Sequence, residues 1–202
     1  MGAIRVAEAS DIPMLAETLT LAFDDDPALS WVMRTDDKRE EALRRLITYF
    51  LRDSIPYGEV RATEELDACA VWVPPGVWAK RPGVLESLRM LPETLRWTGW
   101  RRLRLFMDLD AAEYANRPGE PHFYLAFLGI RPDRQRMGLG SALLGHTLRR
   151  LDEMGLPAYL ENSNPVNLSL YLRHGFRVVN EITQHGGPSE WGMWRDSPIQ
   201  VN

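Results

Sequence analysis

The chain has a single cysteine in 202 residues, Cys69, which excludes an intrachain disulfide framework. Its core must hold it together, and a reducing, cytoplasmic setting is expected. No apolar run is long enough to cross a bilayer, and Met1-Gly2-Ala3-Ile4-Arg5 lacks the apolar stretch of a signal peptide, so no membrane association is expected. Basic excess is also missing. The formal net charge is −4, so nucleic acid is not an expected partner. His146, His174 and His185 have no metal-ligand spacing with Cys69 or the carboxylates, and no metal is expected. What is present, 45% hydrophobic and 26% charged residues, is the composition of a folded globular chain. There is no repeat, low-complexity tract or linker, so residues 1–202 read as one domain.

Residues 3–7 predict a short strand, and Asp11 a helix N-cap, followed by Ile12, Leu15, Leu19, Ala22 and Phe23 at helical spacing. Asp24-Asp25-Asp26-Pro27 ends that helix. Acidic groups oppose the macrodipole there, and a solvated loop is preferred over a face for a cationic substrate. Leu43, Leu46, Ile47 and Phe50 predict a helix over 37–52. Strands near 58–62 and 68–73 form a hairpin, with Cys69 a small core residue in the second. Residues 77–118 carry Trp78, Trp97 and Trp100 and predict one or two helices interrupted at Pro92 and Gly99. The tryptophans suit core packing first and a substrate wall second; Arg101, Arg102 and Arg104 suit a solvated helix face. From 119 onward the order is strand, helix, strand, helix, strand.

The most informative segment is Gln135-Arg136-Met137-Gly138-Leu139-Gly140-Ser141, between the strand-like run 122–130 and the helix-like run 141–154. Gly138 and Gly140 let a ligand approach the backbone, because neither carries a Cβ. The first-turn N–H groups of the next helix lack intrahelical partners and can donate to a phosphate. Arg134 and Arg136 add positive charge. The P-loop lysine is missing, and Leu143 stands where a dinucleotide fingerprint has a small residue. A second block follows: Tyr159-Leu160-Glu161-Asn162, Asn164-Pro165-Val166-Asn167, and Tyr171-Leu172-Arg173-His174-Gly175-Phe176. Together the blocks resemble the GNAT superfamily of N-acetyltransferases. The resemblance implies a mixed α/β fold, with helices on both faces of a largely antiparallel sheet and splayed strands holding acetyl-coenzyme A.

Acetyl transfer needs a bound thioester, a neutral amine attacking directly through a tetrahedral intermediate, and a proton for the departing thiolate. The resemblance puts Tyr171 in the place of the general acid, and a tyrosine hydroxyl can donate to sulfur. Glu161, at a strand end where ligand crevices lie, is the first candidate for the base, ahead of His122. The resemblance further implies that the backbone near Leu128 and Ile130 pairs with the pantetheine arm, and that Asn167 bonds to it through its amide. Gln135, Arg136, Gly138, Gly140 and Ser141 would cradle the pyrophosphate. Arg173 could approach a phosphate, though a solvated surface arginine is the commoner case.

Within that superfamily the chain most resembles puromycin N-acetyltransferase-like, antibiotic-modifying enzymes, almost end to end, through Ala9-Ser10-Asp11-Ile12-Pro13, Ala22-Phe23, Ala70-Val71-Trp72, Gly138-Leu139-Gly140-Ser141-Ala142 and Pro157-Ala158-Tyr159-Leu160-Glu161. It departs at Met137 and across 77–118, which would be a helical acceptor-pocket excursion. A small-molecule amine is the expected acceptor, whether antibiotic-like or a biosynthetic intermediate, and the protein would act as a monomer or homodimer. Acetylation of a protein lysine or N-terminus, and a silent acyl-coenzyme A-binding module, are the alternatives.

Overall fold

The computed structural model describes residues 3–78 and 83–198. Among the described residues, seven strands form one sheet: β1 (Ile4–Val6), β2 (Val60–Thr63), β3 (Ala68–Val73), β4 (Phe123–Ile130), β5 (Ala158–Asn162), β6 (Arg177–Ile182) and β7 (Glu190–Arg195). Their order is β1-β2-β3-β4-β5-β7-β6, and every neighbouring pair is antiparallel except β4 and β5. Six helices cover it: α1 (Ile12–Ala22), α2 (Pro27–Val32), α3 (Arg39–Ser54), α4 (Val84–Asn116), α5 (Leu139–Met154) and α6 (Leu168–Arg173). The expected fold class is thus the observed one. No helix among the described residues is long and apolar enough to cross a membrane.

Strand alternation divides the core between the two faces. Cys69 and Val71 point into the cluster built by α1, α3 and α4, while Ala68, Ala70 and Trp72 point into the one built by α5 and α6. Leu143, Leu144, Thr147, Leu148 and Leu151 are buried as the predicted stripe of α5, whereas Met154 is exposed. Burying five such positions along one helix supplies enough apolar contact to fix α5 against the sheet.

Several local expectations need correction. Asp11 does not cap α1 with its side chain. It reaches back to the Glu8 N–H (2.8 Å) and forms a two-point pair with Arg5 (2.7 and 2.9 Å). Pro92 lies inside α4 without ending it; the break comes at Gly99, whose φ of 65° and ψ of 174° are non-helical. Trp97 packs into the core beside Tyr49 and Phe106, while Trp100 is 81% exposed, so neither walls a pocket. Arg102 is not merely solvated, since its guanidinium holds the carbonyls of Ser30 (2.8 Å) and Trp31 (2.5 Å), tying α4 to α2. Of the segment 77–118, residues 79–82 lie outside the described residues.

Candidate active site

Parallel strands β4 and β5 pair only at their first residues, Phe123 with Ala158 and Tyr124 with Tyr159; beyond these the two strands run unpaired to each other. An irregularity in the β3–β4 register helps to open this gap. Val71 pairs with Phe127 and Trp72 with Leu125, so Ala126 is an extra residue in β4, and such a bulge bends and twists its strand. The free edge carries usable groups. Arg131 N–H donates to the Asp67 carbonyl (2.9 Å), and hydrogen-bonded pairs alternate along an antiparallel ladder. Gly129 and Phe127 therefore face β3, and the backbone groups of Leu128 and Ile130 face the gap.

The glycine loop lies at the far end of β4. Arg136 (φ 63°) and Gly138 (φ 83°) are both left-handed, which turns the chain sharply into α5. Gly138 is the N-cap but supplies no side-chain cap, and the first bond back to it comes from Ala142 N–H (3.0 Å). The N–H groups of Leu139, Gly140 and Ser141 thus have no partner within the helix and can serve an anion. A Cβ on Gly140 would lie 3.3 Å from Ile130 Cδ1 and 3.6 Å from Leu170 Cδ2, so its absence keeps the space between β4 and α6 open. Gln135 Nε2 donates to the Ile130 carbonyl (3.3 Å), which ties the loop to the strand end. A diphosphate with an extended arm fits this combination: donors at the helix start, free backbone along the gap and a glycine between them.

Tyr171 projects from α6, a helix set up by a local sequence device. The Asn164 side chain accepts from Val166 N–H (3.1 Å), Pro165 opens a single 3-10 turn, and Gly175 (φ 84°) ends the element. Tyr171 is 7% exposed and meets the edge of Phe176, with ring centroids 6.0 Å apart. Burial pushes its phenol above the ordinary value, and the charge of Asp26 adds to the shift, so the hydroxyl stays protonated. Asn167 is exposed at the start of α6, and Arg173 is exposed with a long contact to Ser169 (3.4 Å).

On the opposite sheet face, Glu161 is buried with its side chain only 4% exposed, and Arg117 Nε donates to its Oε1 (3.4 Å). The Arg117 guanidinium also lies 4.2 Å from the centre of the Tyr124 ring. Burial raises the Glu161 carboxyl above its usual value, and Arg117, Tyr124 and Tyr159 oppose the rise. The turn after β5 does not need Glu161, because Asn162 Nδ2 closes it on the Asn164 carbonyl (2.9 Å). His122, the second candidate base, contacts the Glu120 carbonyl through Nδ1 (2.6 Å) and packs on the edges of Tyr159 and Trp194. Desolvation lowers its pKa.

Sequence reasoning missed the residues that surround Glu161. Asp26 is not part of a solvated loop: it caps α2 through Leu29 N–H (2.9 Å) and accepts from the Ser163 hydroxyl (2.5 Å). Asp24 pairs with Arg39, and only Asp25 keeps the solvated role expected of the whole run. Glu113 lies one helical turn before Arg117 on α4, and Glu190 starts β7 on the sheet face shared by Glu161. Glu190 is 3% exposed, and burial together with the charges of Glu161 and Asp26 raises its pKa to about 8. Burial likewise lifts the Glu113 carboxyl well above its usual range, reinforced by the charges of Glu161 and Glu190. The Glu113–Arg117 spacing of four residues was the only sequence signal for this group, and it is common on any helix.

Known proteins resemble this chain in part of its sequence and in its fold. Residues 97–176, from mid-α4 through α6, match the Acetyltransferase (GNAT) family model. An uncharacterized N-acetyltransferase of Schizosaccharomyces pombe is 26% identical over 190 residues, covering 90% of this chain and 76% of that protein. A Corynebacterium glutamicum structure described as histone acetyltransferase HPA2 and related acetyltransferase superimposes with a TM-score of 0.76 at 22% identity, over the full length of both chains. A Drosophila melanogaster polyamine N-acetyltransferase, which forms N-acetylagmatine, gives a TM-score of 0.64 at 17% identity, covering 96% of this chain and 99% of that one. Those two structures share the fold. The matched segment carries the glycine loop and Tyr171, and with the N-acetyltransferase relative it supports one assignment: the chain is an acetyl-coenzyme A-dependent N-acetyltransferase.

Proposed function

We propose that the enzyme acetylates the primary amine of a small molecule, with Glu161 taking the amine proton and Tyr171 supplying a proton to the departing sulfur. The observation that carries this reading is the opposition of the two groups across the β4–β5 gap. Tyr171 belongs to the α6 face of the sheet, and Glu161 to the α4 face.

Acetyl-coenzyme A supplies an activated acetyl thioester. Gly140, Ser141 and the loop from Gln135 to Gly138 would hold its diphosphate through backbone N–H groups and the charge of Arg136. The edges of Leu128 and Ile130, with the Asn167 amide, would align the arm. Backbone donors fixed along that edge stabilise charge developing on the carbonyl oxygen, an effect typically worth about 3–4 kcal/mol per donor. The incoming ammonium gives one proton to Glu161 directly or through a water. The new C–N bond then forms, the C–S bond breaks, and the Tyr171 hydroxyl protonates the thiolate. The second proton, lost by the acylated nitrogen, passes through water to restore the Tyr171 hydroxyl. A buried carboxyl with a raised pKa is well matched to this task, because it holds a proton tightly enough to take it from an amine near neutral pH.

A small-molecule acceptor is favoured over a protein lysine by the enclosure of Glu161, whose flanks are closed by α4, Tyr124 and Tyr159. The Drosophila neighbour acts on a polyamine and supports the same substrate size. Residues 84–116 provide one wall of the acceptor pocket through Glu113, and Arg117 follows at its end. The chain acts as one domain in this reading. Its single buried thiol, Cys69, suits the cytoplasm.

The test is thiol release from acetyl-coenzyme A against a panel containing puromycin, alkyl amines, diamines and a lysine peptide. Release with a small amine is expected, and Tyr171→Phe should lower kcat by about 10²–10⁴-fold while keeping acetyl-coenzyme A affinity within a few-fold. Release with the lysine peptide alone would move the reading to protein acetylation. Tight cofactor binding without release for any amine would leave a silent binder.

A further inference from the structure

The buried face around Glu161 holds more hydrogen-bond acceptors than the chain satisfies. Glu161 Oε2, Glu190 Oε2 and Asn180 Oδ1 are buried acceptors without a partner, and beside them the Tyr159 hydroxyl and the Gln184 amide, which can donate as well as accept, are also unpaired. The three acceptors and Tyr159 converge on one point of the sheet. Glu161 and Asn180 are the two cross-strand partners of Gly192, Glu190 lies two residues earlier on the same face, and Tyr159 two residues before Glu161. A Cβ on Gly192 would come within 1.8 Å of Asn180 Oδ1 and 2.6 Å of Tyr159 Oη, so the glycine makes room for both oxygens to meet there. The orientation of Asn180 is set independently, since its Nδ2 donates to the Asn116 carbonyl on α4 (2.9 Å). Asn180 therefore directs an acceptor, rather than a donor, at Gly192.

Charge points the same way. Glu113, Glu161 and Glu190 share this face, Asp26 acts on Glu190, and Arg117 is the guanidinium that opposes Glu113 and Glu161. Buried acceptors of this kind need donors, and an ammonium or guanidinium brings several donors and no acceptor. The attacking amine cannot fill this need, because it must give up its charge to Glu161 before it reacts. We propose that the acceptor carries a second positive charge, as a short diamine or aminoguanidine does, and that Glu190 holds this distal cation with help from Asn180 and Tyr159. Diagonal cross-strand positions such as those of Glu161 and Glu190 are roughly 7–8 Å apart, the reach of a short alkyl chain. The distal cation keeps its proton throughout and leaves on the amide product. The inference rests on acetyl transfer at this same site and adds the class of acceptor.

The experiment compares putrescine and agmatine with butylamine and phenethylamine at saturating acetyl-coenzyme A, in the wild type and in Glu190→Gln and Glu190→Asp. The dications should exceed the monoamines in kcat/KM by about 100-fold or more, the usual loss when a buried charge goes unpaired. Glu190→Gln should bring that ratio to about ten or below, and Glu190→Asp should recover part of it. Thermal unfolding of each variant checks that it folds. Equal turnover of monoamines and dications, or an equal fall for both classes in Glu190→Gln, would overturn the inference and leave the small-amine acetyltransferase standing. Release with no amine at all would overturn both.

Discussion

Replacing Glu190 with glutamine should alter how the stability of the enzyme depends on pH. The side chain is buried, and its surroundings raise the carboxyl from an ordinary 4.5 to about 8. The folded state therefore binds this proton more tightly than the unfolded chain, and the associated stability is complete below pH 4.5. As pH rises from 4.5 towards 8, the unfolded chain gives up the proton first, and that stability is lost. At about 1.4 kcal/mol per tenfold change in proton affinity, the full window corresponds to roughly 4–5 kcal/mol. Glutamine keeps the volume and cannot ionise, so the variant lacks this term. Urea unfolding at pH 5 and pH 8 measures it. The wild type should lose about 2 kcal/mol or more relative to the variant between the two values, and Glu190→Gln should be the more stable protein at pH 8. Equal slopes in the two proteins would show that Glu190 does not sit among uncompensated carboxyls, and would refute the reasoning.

Two further outcomes test the two sides of the site separately. Glu161→Gln should lower kcat by about 10²–10⁴-fold and remove the acid limb of the pH–rate profile. The wild-type rate should climb as pH passes through the raised pKa of this carboxyl, so a variant that keeps the limb would assign the base elsewhere. Gly140→Ala should raise the dissociation constant for acetyl-coenzyme A about tenfold while leaving the fold intact, since alanine gains up to about 1 kcal/mol of helix propensity over glycine. Isothermal titration with the variant measures this, and an unchanged affinity would mean that the space between Ile130 and Leu170 is not part of the cofactor path.

The proposed cofactor side of the site was legible because its determinants are local. Gly138 and Gly140 act on the backbone where they stand, and the N–H groups they free belong to the same few residues. Asn164, Pro165 and Gly175 likewise define α6 within a dozen positions, which is why Tyr171 could be placed from the sequence. Leu128 and Ile130 are an intermediate case. Their outward direction follows from the Arg131–Asp67 bond and the alternation of the ladder, and no residue type announces it. Ala126 is more opaque still, because an alanine gives no sign that its strand takes an extra residue there.

The proposed acceptor side was not legible because it is assembled by pairings between distant segments. Asp26 reads as one of three solvated acids until Ser163, far along the chain, meets it. Glu190 reads as a polar residue at the start of a strand until β7 inserts between β5 and β6 and turns it toward Glu161. The same insertion makes Gly192 intelligible. In the sequence it is a glycine inside a strand, which suggests a bulge or a close approach without saying to what. In the fold it leaves the room into which Asn180 Oδ1 and Tyr159 Oη both project. Glu161 alone was visible beforehand, and alone it implies a base for any neutralised amine. Only with Glu190 and Asn180 beside it does the site suggest a second cation, so the proposed choice of acceptor rests on contacts across the sheet.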